Sequence, residues 1–112
     1  MPVLTCLNTC PDDATAQHIA RALVDARLAA CVNLVPGVTS IYRWQGQVQS
    51  DAEVLLVIKT TADRLEALTE RLRALHPYDT PALVALPVAG GLADYLRWVD
   101  DETAPIETGE AD

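Results

Sequence analysis

The sequence predicts one α+β domain in which four strands and two helices follow each other as β-α-β-β-α-β, with a third helix at the C-terminal end. Three observations predict this arrangement. Two segments carry apolar residues at the helical period of 3.6, and they separate shorter apolar runs of β-type composition. A Gln45-Gly46 pair between the second and third runs is typical of a hairpin turn. The 112 residues leave room for a single domain.

The N-terminal part of the chain predicts a strand followed by a helix. Residues 3–9 form a short run of β-type composition, which indicates a strand. Asp12 is the expected N-cap of the first helix, which we expect to end near residues 28–29. The apolar stripe of this helix comprises Ala16, Ile19, Ala20, Leu23 and Val24.

Residues 31–44 and 47–60 predict a long hairpin, interrupted at Pro36-Gly37 by a bulge or bend. At about 3.3 Å per residue its second strand is roughly 43 Å long. This is much longer than the first strand of the domain, so the hairpin should project beyond the domain body. Isolated two-stranded ribbons are only marginally stable in water. We therefore predict that Tyr42 and Trp44 on this arm form subunit contacts, in preference to stacking on a bound ligand.

The second half of the chain predicts a helix, a strand and a short final helix. The second helix begins at residue 61 or 62, and Pro77 ends it just after residue 75. Its apolar stripe comprises Leu65, Leu68, Leu72 and Leu75. Residues 83–88 predict the fourth strand, and Gly90-Gly91 separates it from the final helix. This order is the ferredoxin-like, split β-α-β arrangement, in which right-handed crossovers make strands one and three central.

The strands indicate that one copy of the chain leaves apolar surface uncovered. Residues 54–58 and 83–88 are apolar at odd and even positions, so both faces of the sheet carry apolar side chains. A sheet with one face in water shows polar alternation instead. The two long helices cover one face, and we predict that self-association covers much of the other.

Charge and cysteine content exclude several functional classes. The net charge is −8, and no Lys or Arg follows Asp100, which predicts a domain at 1–103 and an acidic, disordered tail at 104–112. Without a basic stripe, the domain is not expected to bind nucleic acid. Because no long apolar segment or secretory signal is found, we expect no membrane contact and a cytoplasmic location. The three cysteines form no CxxC pair and are expected to be free thiols.

Motifs for catalysis are absent from the sequence. There is no Gly-x-Ser-x-Gly elbow, no phosphate-binding glycine loop, no HExxH motif and no dinucleotide fingerprint. Cys31 has no base near it in the sequence to activate it as a nucleophile. We therefore predict that the chain is not an enzyme.

Several blocks of this sequence resemble the CutA divalent-cation tolerance family in order and spacing. The blocks are Ala30-Cys31-Val32-Asn33, Pro36-Gly37-x-x-Ser40-x-Tyr42-x-Trp44-x-Gly46, Glu53 with Ile58-Lys59-Thr60, His76-Pro77-Tyr78 with Pro81, and Tyr95-Leu96-x-Trp98. The resemblance covers nearly the whole chain, from about residue 3 to residue 99. The resemblance implies a ferredoxin-like subunit, a homotrimer built by strand pairing, a cytoplasmic setting and a role in tolerance to copper and other divalent cations.

The resemblance also implies metal ligands: a cysteine late in the first strand, the histidine of the His-Pro-Tyr block, and an acid just after the next proline. In this chain the histidine is His76, whereas the other two positions hold Asn8 and Ala82. We predict His76 and Cys31 as candidate ligands, with Cu(II) or another divalent cation as the metal. The alternative for His76 is a structural role, because a cation at a helix C-terminus interacts favourably with the helix dipole.

Two other functions stay open at this point. One is a small-molecule sensor, by analogy with the trimeric ferredoxin-like regulators of nitrogen metabolism, with an anion held in a cleft between subunits near Trp44, Lys59 and Tyr78. The short Gln45-Gly46 turn replaces the long loop of those regulators and argues against that version. The other is a structural scaffold that recruits a partner protein. Lys59 is also expected to pair with Glu53 or with a carboxylate of another chain.

Overall fold

The computed structural model describes residues 2–105 and has the predicted order of elements. The elements are β1 Val3–Cys10, α1 Asp13–Asp25, β2 Cys31–Trp44, β3 Gln47–Thr61, a 3-10 turn Ala62–Arg64, α2 Leu65–Leu75, β4 Val84–Pro87 and α3 Ala93–Thr103. The strands form one antiparallel sheet in the order β2-β3-β1-β4, which confirms the ferredoxin-like fold. From position 106 on, the predicted acidic tail lies outside the described residues. None of the helices in residues 2–105 has the length and apolar content needed to span a bilayer.

One face of the sheet carries the hydrophobic core. Side chains alternate across β1, and those at even positions, from Leu4 to Cys10, are buried against α1 and α2. Other fully buried members of this core are Ile19, Leu23, Leu56, Ile58, Leu68 and Leu72. The apolar stripes of both helices therefore pack on this face, except for Val24 of α1, which is 40% exposed. Each large buried side chain contributes about 1.5–3 kcal/mol.

The first helix ends at Asp25, earlier than the predicted end near residues 28–29. Arg27 has φ = 60°, in the left-handed region, so the helix does not continue through it. The N–H groups of residues 28 and 29 both turn back and donate to the carbonyl of Leu23. The prediction was wrong here because apolar residues beyond the helix end continue into the core.

Arg27 also ties α3 to the rest of the domain. Its Nε donates to the carbonyl of Ala104 at 2.8 Å, and its Nη2 donates to the carbonyl of Asp101 at 2.7 Å. The last carbonyls of a helix lack their usual partners within the helix, and the guanidinium supplies donors to them. The carbonyl of Asp101 also accepts from the N–H of Ala104 at 3.3 Å.

The hairpin arm projects as predicted. β1 pairs with β3 only as far as Val54, so residues 47–53 extend beyond the central strand. The described chain measures 52 × 34 × 22 Å, and the arm contributes to the long dimension. Among residues 2–105, β2 is the only strand that pairs with β3 there, so the arm is a two-stranded ribbon.

A break in strand register at Pro36-Gly37 confirms the predicted bulge. Gly37 has φ = 79°, a conformation in which a side chain is strained. Before the bulge, odd-numbered residues of β2 lie on the second face of the sheet, and after it even-numbered residues do. The bulge therefore brings Tyr42 and Trp44 onto the face that carries Glu53.

The second face of the sheet is only partly covered. α3 packs across one end of it, where Val99 is buried and the Thr103 hydroxyl lies 3.4 Å from that of Thr61. On β4, Val84 and Leu86 of this face stay about half exposed. An open apolar surface therefore remains on the second face of the sheet, as the strand pattern predicted.

Candidate functional site

A cleft of about 540 Å³ lies where the hairpin arm meets the segment between α2 and β4. It is lined by Thr9, Ser40, Tyr42, Trp44, Glu53, Tyr78, Asp79, Thr80 and Ala82. These lining residues include two carboxylates and no Lys or Arg, so the cleft favours positive charge. Lys59 does not line this cleft of the single chain, and the anion cleft expected between subunits stays a prediction.

Glu53 is the buried carboxylate of the cleft, with only 8% of its surface exposed. The Tyr78 hydroxyl donates to its Oε2 at 2.7 Å, and the Tyr42 hydroxyl donates to Asp51. Burial, followed by the hydrogen bond to Glu53 and its charge, raises the pKa of Tyr78. The hydrogen bond to Asp51 is the main cause that raises the pKa of Tyr42. Both hydroxyls therefore remain donors that hold their rings beside carboxylates.

His76 lies below this cleft, at the C-terminal end of α2, and is buried. The backbone N–H of Tyr78 donates to its Nδ1 at 3.2 Å. In a neutral imidazole the other nitrogen then carries the proton, and Nε2 lies 2.9 Å from the carbonyl of Thr9. The ring thus connects the segment after α2 to the end of β1.

Cys10 lies next to this imidazole, with its Sγ 3.8 Å from Nε2 of His76. The thiol is fully buried and donates to Oδ1 of Asn8 at 3.3 Å, while Nδ2 of Asn8 donates to the carbonyl of Ala82 at 2.7 Å. Burial raises the pKa of Cys10 to about 11, and nearby carboxylates add to the effect. Cys10 is therefore a protonated thiol at neutral pH, and a metal ion that binds it must displace the proton.

The structure separates the two predicted metal ligands. Cys31 lies opposite Lys59 on β3, whose ammonium donates to Sγ at 3.9 Å and to the side chain of Asn33. His76 lies beside Cys10, toward the other end of the sheet, so Cys31 and His76 do not meet. Within residues 2–105, no three His, Cys, Asp or Glu side chains are grouped to hold a metal ion.

The predicted pairing of Lys59 with Glu53 is wrong within one chain. The two residues are six positions apart on β3, or about 20 Å at 3.3 Å per residue. In the part of the chain that the structure describes, the Lys59 ammonium meets Asn33 and Cys31 and no carboxylate. Pairing with a carboxylate of another chain stays a prediction.

Sequence reasoning missed the contact between Cys10 and His76. Strand alternation was the available signal, because it places Asn8 and Cys10 on the same face of β1, with Cys10 at the strand end. The position of the segment after α2 was not predictable in the same way, since no local pattern states where that segment lies against the sheet.

Comparison with known proteins identifies the family. The sequence matches the CutA1 divalent ion tolerance protein family over residues 4–102. The divalent-cation tolerance protein CutA of Thermus thermophilus is 56% identical over 97 residues, which cover 87% of this chain and 94% of that protein. Human Protein CutA is 49% identical over 98 residues, which cover 88% of this chain and 55% of the human protein. A solved Thermus thermophilus structure of 53% identity superimposes with a TM-score of 0.89, covering 91% of this chain and 99% of that one.

The fold and these matches define a ferredoxin-like domain with a projecting arm and an added C-terminal helix. The chain belongs to the CutA1 divalent ion tolerance family. It spans nearly all of the Thermus relative and about half of the human one. An Arabidopsis thaliana relative is named chloroplastic and an Archaeoglobus fulgidus relative periplasmic, so the names within the family do not share one compartment.

Proposed function

We propose that this chain acts in divalent-cation tolerance as a cytoplasmic homotrimer and that it binds the cation, with Cu(II) the first to test, at His76 and Cys10. The observation that carries the proposal is the distance of 3.8 Å between Nε2 of His76 and Sγ of Cys10. Two ligands of one metal ion have such a separation, and imidazole with thiolate suits copper and zinc.

Binding at this pair has a cost that the geometry explains. The metal replaces the Cys10 proton, and at Nε2 it replaces the contact with the carbonyl of Thr9. Because the pKa of Cys10 is about 11, metal affinity should rise with pH, by about tenfold per unit for one released proton. Two ligands are fewer than the three or four of most structural sites, so we expect weak, exchangeable binding.

The trimer part of the proposal is supported by the open second face. Val84, Leu86 and the hairpin arm expose apolar surface that one chain does not cover. Light scattering should give about three times the chain mass of 12.1 kDa. Replacing Trp44 by Ala should weaken assembly by about 2 kcal/mol or more if Trp44 anchors the interface. A monomer at micromolar concentration would refute the trimer.

A cytoplasmic location is part of the proposal. All three cysteines are free, and Cys6 and Cys10 are buried thiols. Free thiols persist in reducing compartments. Fractionation of cells that express the native protein tests this location, and recovery from an oxidising compartment would contradict it.

The metal site is tested by calorimetric titration of chelator-stripped protein with Cu(II) at pH 6, 7 and 8. Saturable binding, at a whole-number ratio per chain or per trimer, should be lost in His76→Ala and in Cys10→Ser. His18→Ala and Cys31→Ser are the matched controls, since His18 is exposed on α1 and Cys31 lies beside Lys59. Equal heats from all five proteins would refute the site, and loss in Cys31→Ser alone would move it to β2.

A further inference from the structure

Glu53 is a buried carboxylate with no Lys or Arg of residues 2–105 beside it. More than nine-tenths of its surface is buried, and its one hydrogen-bond partner among residues 2–105 is the Tyr78 hydroxyl on Oε2. No Lys or Arg of the described chain lies within ion-pair distance of it. A carboxylate removed from water loses hydration that a neutral hydroxyl only partly replaces. The position of Glu53 therefore favours an occupant of the cleft that carries positive charge.

Three aromatic rings surround the space in front of this carboxylate. Tyr42, Trp44 and Tyr78 line the cleft, and each is between about a third and a half exposed, Trp44 at 50%. The hydroxyls of Tyr42 and Tyr78 are held by Asp51 and Glu53, which limits how the two rings turn. Aromatic faces attract cations, and more strongly where water is displaced. A ligand that joins a positive charge to an apolar body is therefore attracted both by the rings and by the carboxylate.

The shape of the cleft favours an organic cation over a metal ion. Its volume of about 540 Å³ lies in the range of small-molecule sites. Glu53 and Asp79 are its only carboxylates, and the described chain holds no group of three metal-ligating side chains. We propose that this cleft binds a primary ammonium ion carried on an aromatic or apolar body. This site is separate from the His76–Cys10 pair and does not depend on metal binding there.

The test compares benzylamine, which is an ammonium ion at pH 7, with benzyl alcohol, its neutral analogue of similar shape. Binding to the full chain is measured by calorimetry and by saturation-transfer NMR at a fixed chain concentration. We expect the ammonium ion to bind at least about tenfold more tightly than the alcohol, since a hydrogen bond to a charged group contributes that much. In Glu53→Gln this ratio should fall to within about twofold, because the amide keeps the size of the side chain and loses its charge.

Matched variants separate the cleft from the rest of the surface. Trp44→Leu is compared with the native protein at a chain concentration where light scattering gives both the same oligomeric state. There it should weaken binding of the ammonium ion by about fivefold or more. Trp98→Leu should not weaken it, because Trp98 stacks on Tyr95 of α3, outside the cleft. Glu66→Gln on the exposed side of α2 should also leave the ratio unchanged. Trp44→Leu keeps the test valid if Glu53→Gln fails to fold, as judged by circular dichroism.

Several outcomes would overturn the proposal. Equal binding of the ammonium ion and the alcohol would show that the carboxylate selects nothing, and no binding at millimolar concentration would show that the cleft is not a site. Binding that appears only after dilution dissociates an oligomer would mean that another copy of the chain fills the cleft. Complete displacement of benzylamine by Zn(II) in His76→Ala would mean that the cleft is a metal site instead.

Discussion

Replacing Asn8 by Leu tests how the end of β1 holds the segment after α2. Asn8 is 1% exposed, its Nδ2 donates to the carbonyl of Ala82, and its Oδ1 accepts from the thiol of Cys10. Leu has a similar volume, so the substitution opens no cavity. The carbonyl of Ala82 loses its donor at a cost of about 1–3 kcal/mol, and the weak thiol donor adds little. We expect the free energy of unfolding to fall by about 2 kcal/mol.

The measurement is guanidinium unfolding followed by circular dichroism, at one fixed chain concentration because assembly contributes to stability. Asn33→Leu is the matched control, since Asn33 is the other asparagine of the chain and is exposed. Its effect should stay within about 0.5 kcal/mol. Proteolysis between α2 and β4 should also become faster in Asn8→Leu alone. Equal losses in the two variants, or an Asn8→Leu protein as stable as the native one, would refute the reasoning.

Three further predictions concern the arm, the C-terminal helix and the thiols. Gly37→Ala should lower the stability measured by thermal unfolding by about 1 kcal/mol or more, because φ is 79° at this position. In the same assay Gly90→Ala should be near neutral, because a Cβ added there has no atom within 4 Å. Arg27→Ala should lower the free energy of unfolding by about 1 kcal/mol and speed amide exchange in α3, since two hydrogen bonds to carbonyls at the end of that helix are lost. Arg21→Ala on α1 should change neither the stability nor the exchange. Unchanged protection of the α3 amides in Arg27→Ala would contradict this role. Burial raises the pKa of Cys6 and Cys10 from 9.0 to about 11, so the unfolded chain releases these protons first and stability should fall between about pH 9 and 11. A Cys6→Ala, Cys10→Ala protein should lose less stability over that range, and an identical pH profile would count against the buried thiols.

Most of the fold was predictable from local patterns. Each of these patterns predicts a local conformation: the two helical stripes, the hairpin turn and the break at Pro36-Gly37. The structure confirms them. The end of α1 was not predictable in this way. Its last turn depends on the left-handed Arg27, whose side chain reaches carbonyls more than seventy positions away. Helix ends of this kind depend on partners distant in sequence.

The candidate site was predictable only in part. His76, Tyr42 and Trp44 stood out in the sequence, and all three lie at or just below one cleft. Cys31 did not join them, because it lies opposite Lys59 toward the other end of the sheet. Instead, Cys10 lies beside His76, and Glu53 accepts a hydrogen bond from Tyr78. The chemical type of a cysteine or glutamate can be read from the sequence, but the residues that it contacts in the fold cannot.

The sequence by itself determined which segments are strands and helices, that the sheet has two apolar faces, and to which family the chain belongs. These properties follow from residue spacing along the chain, since side chains alternate across a strand and repeat every 3.6 residues on a helix. Only the tertiary structure decided that Cys10 meets His76, and that Glu53 is buried beside three aromatic rings with no Lys or Arg of residues 2–105 next to it. Those contacts join positions 25 and 66 residues apart, and they depend on how the segment after α2 folds over the end of β1.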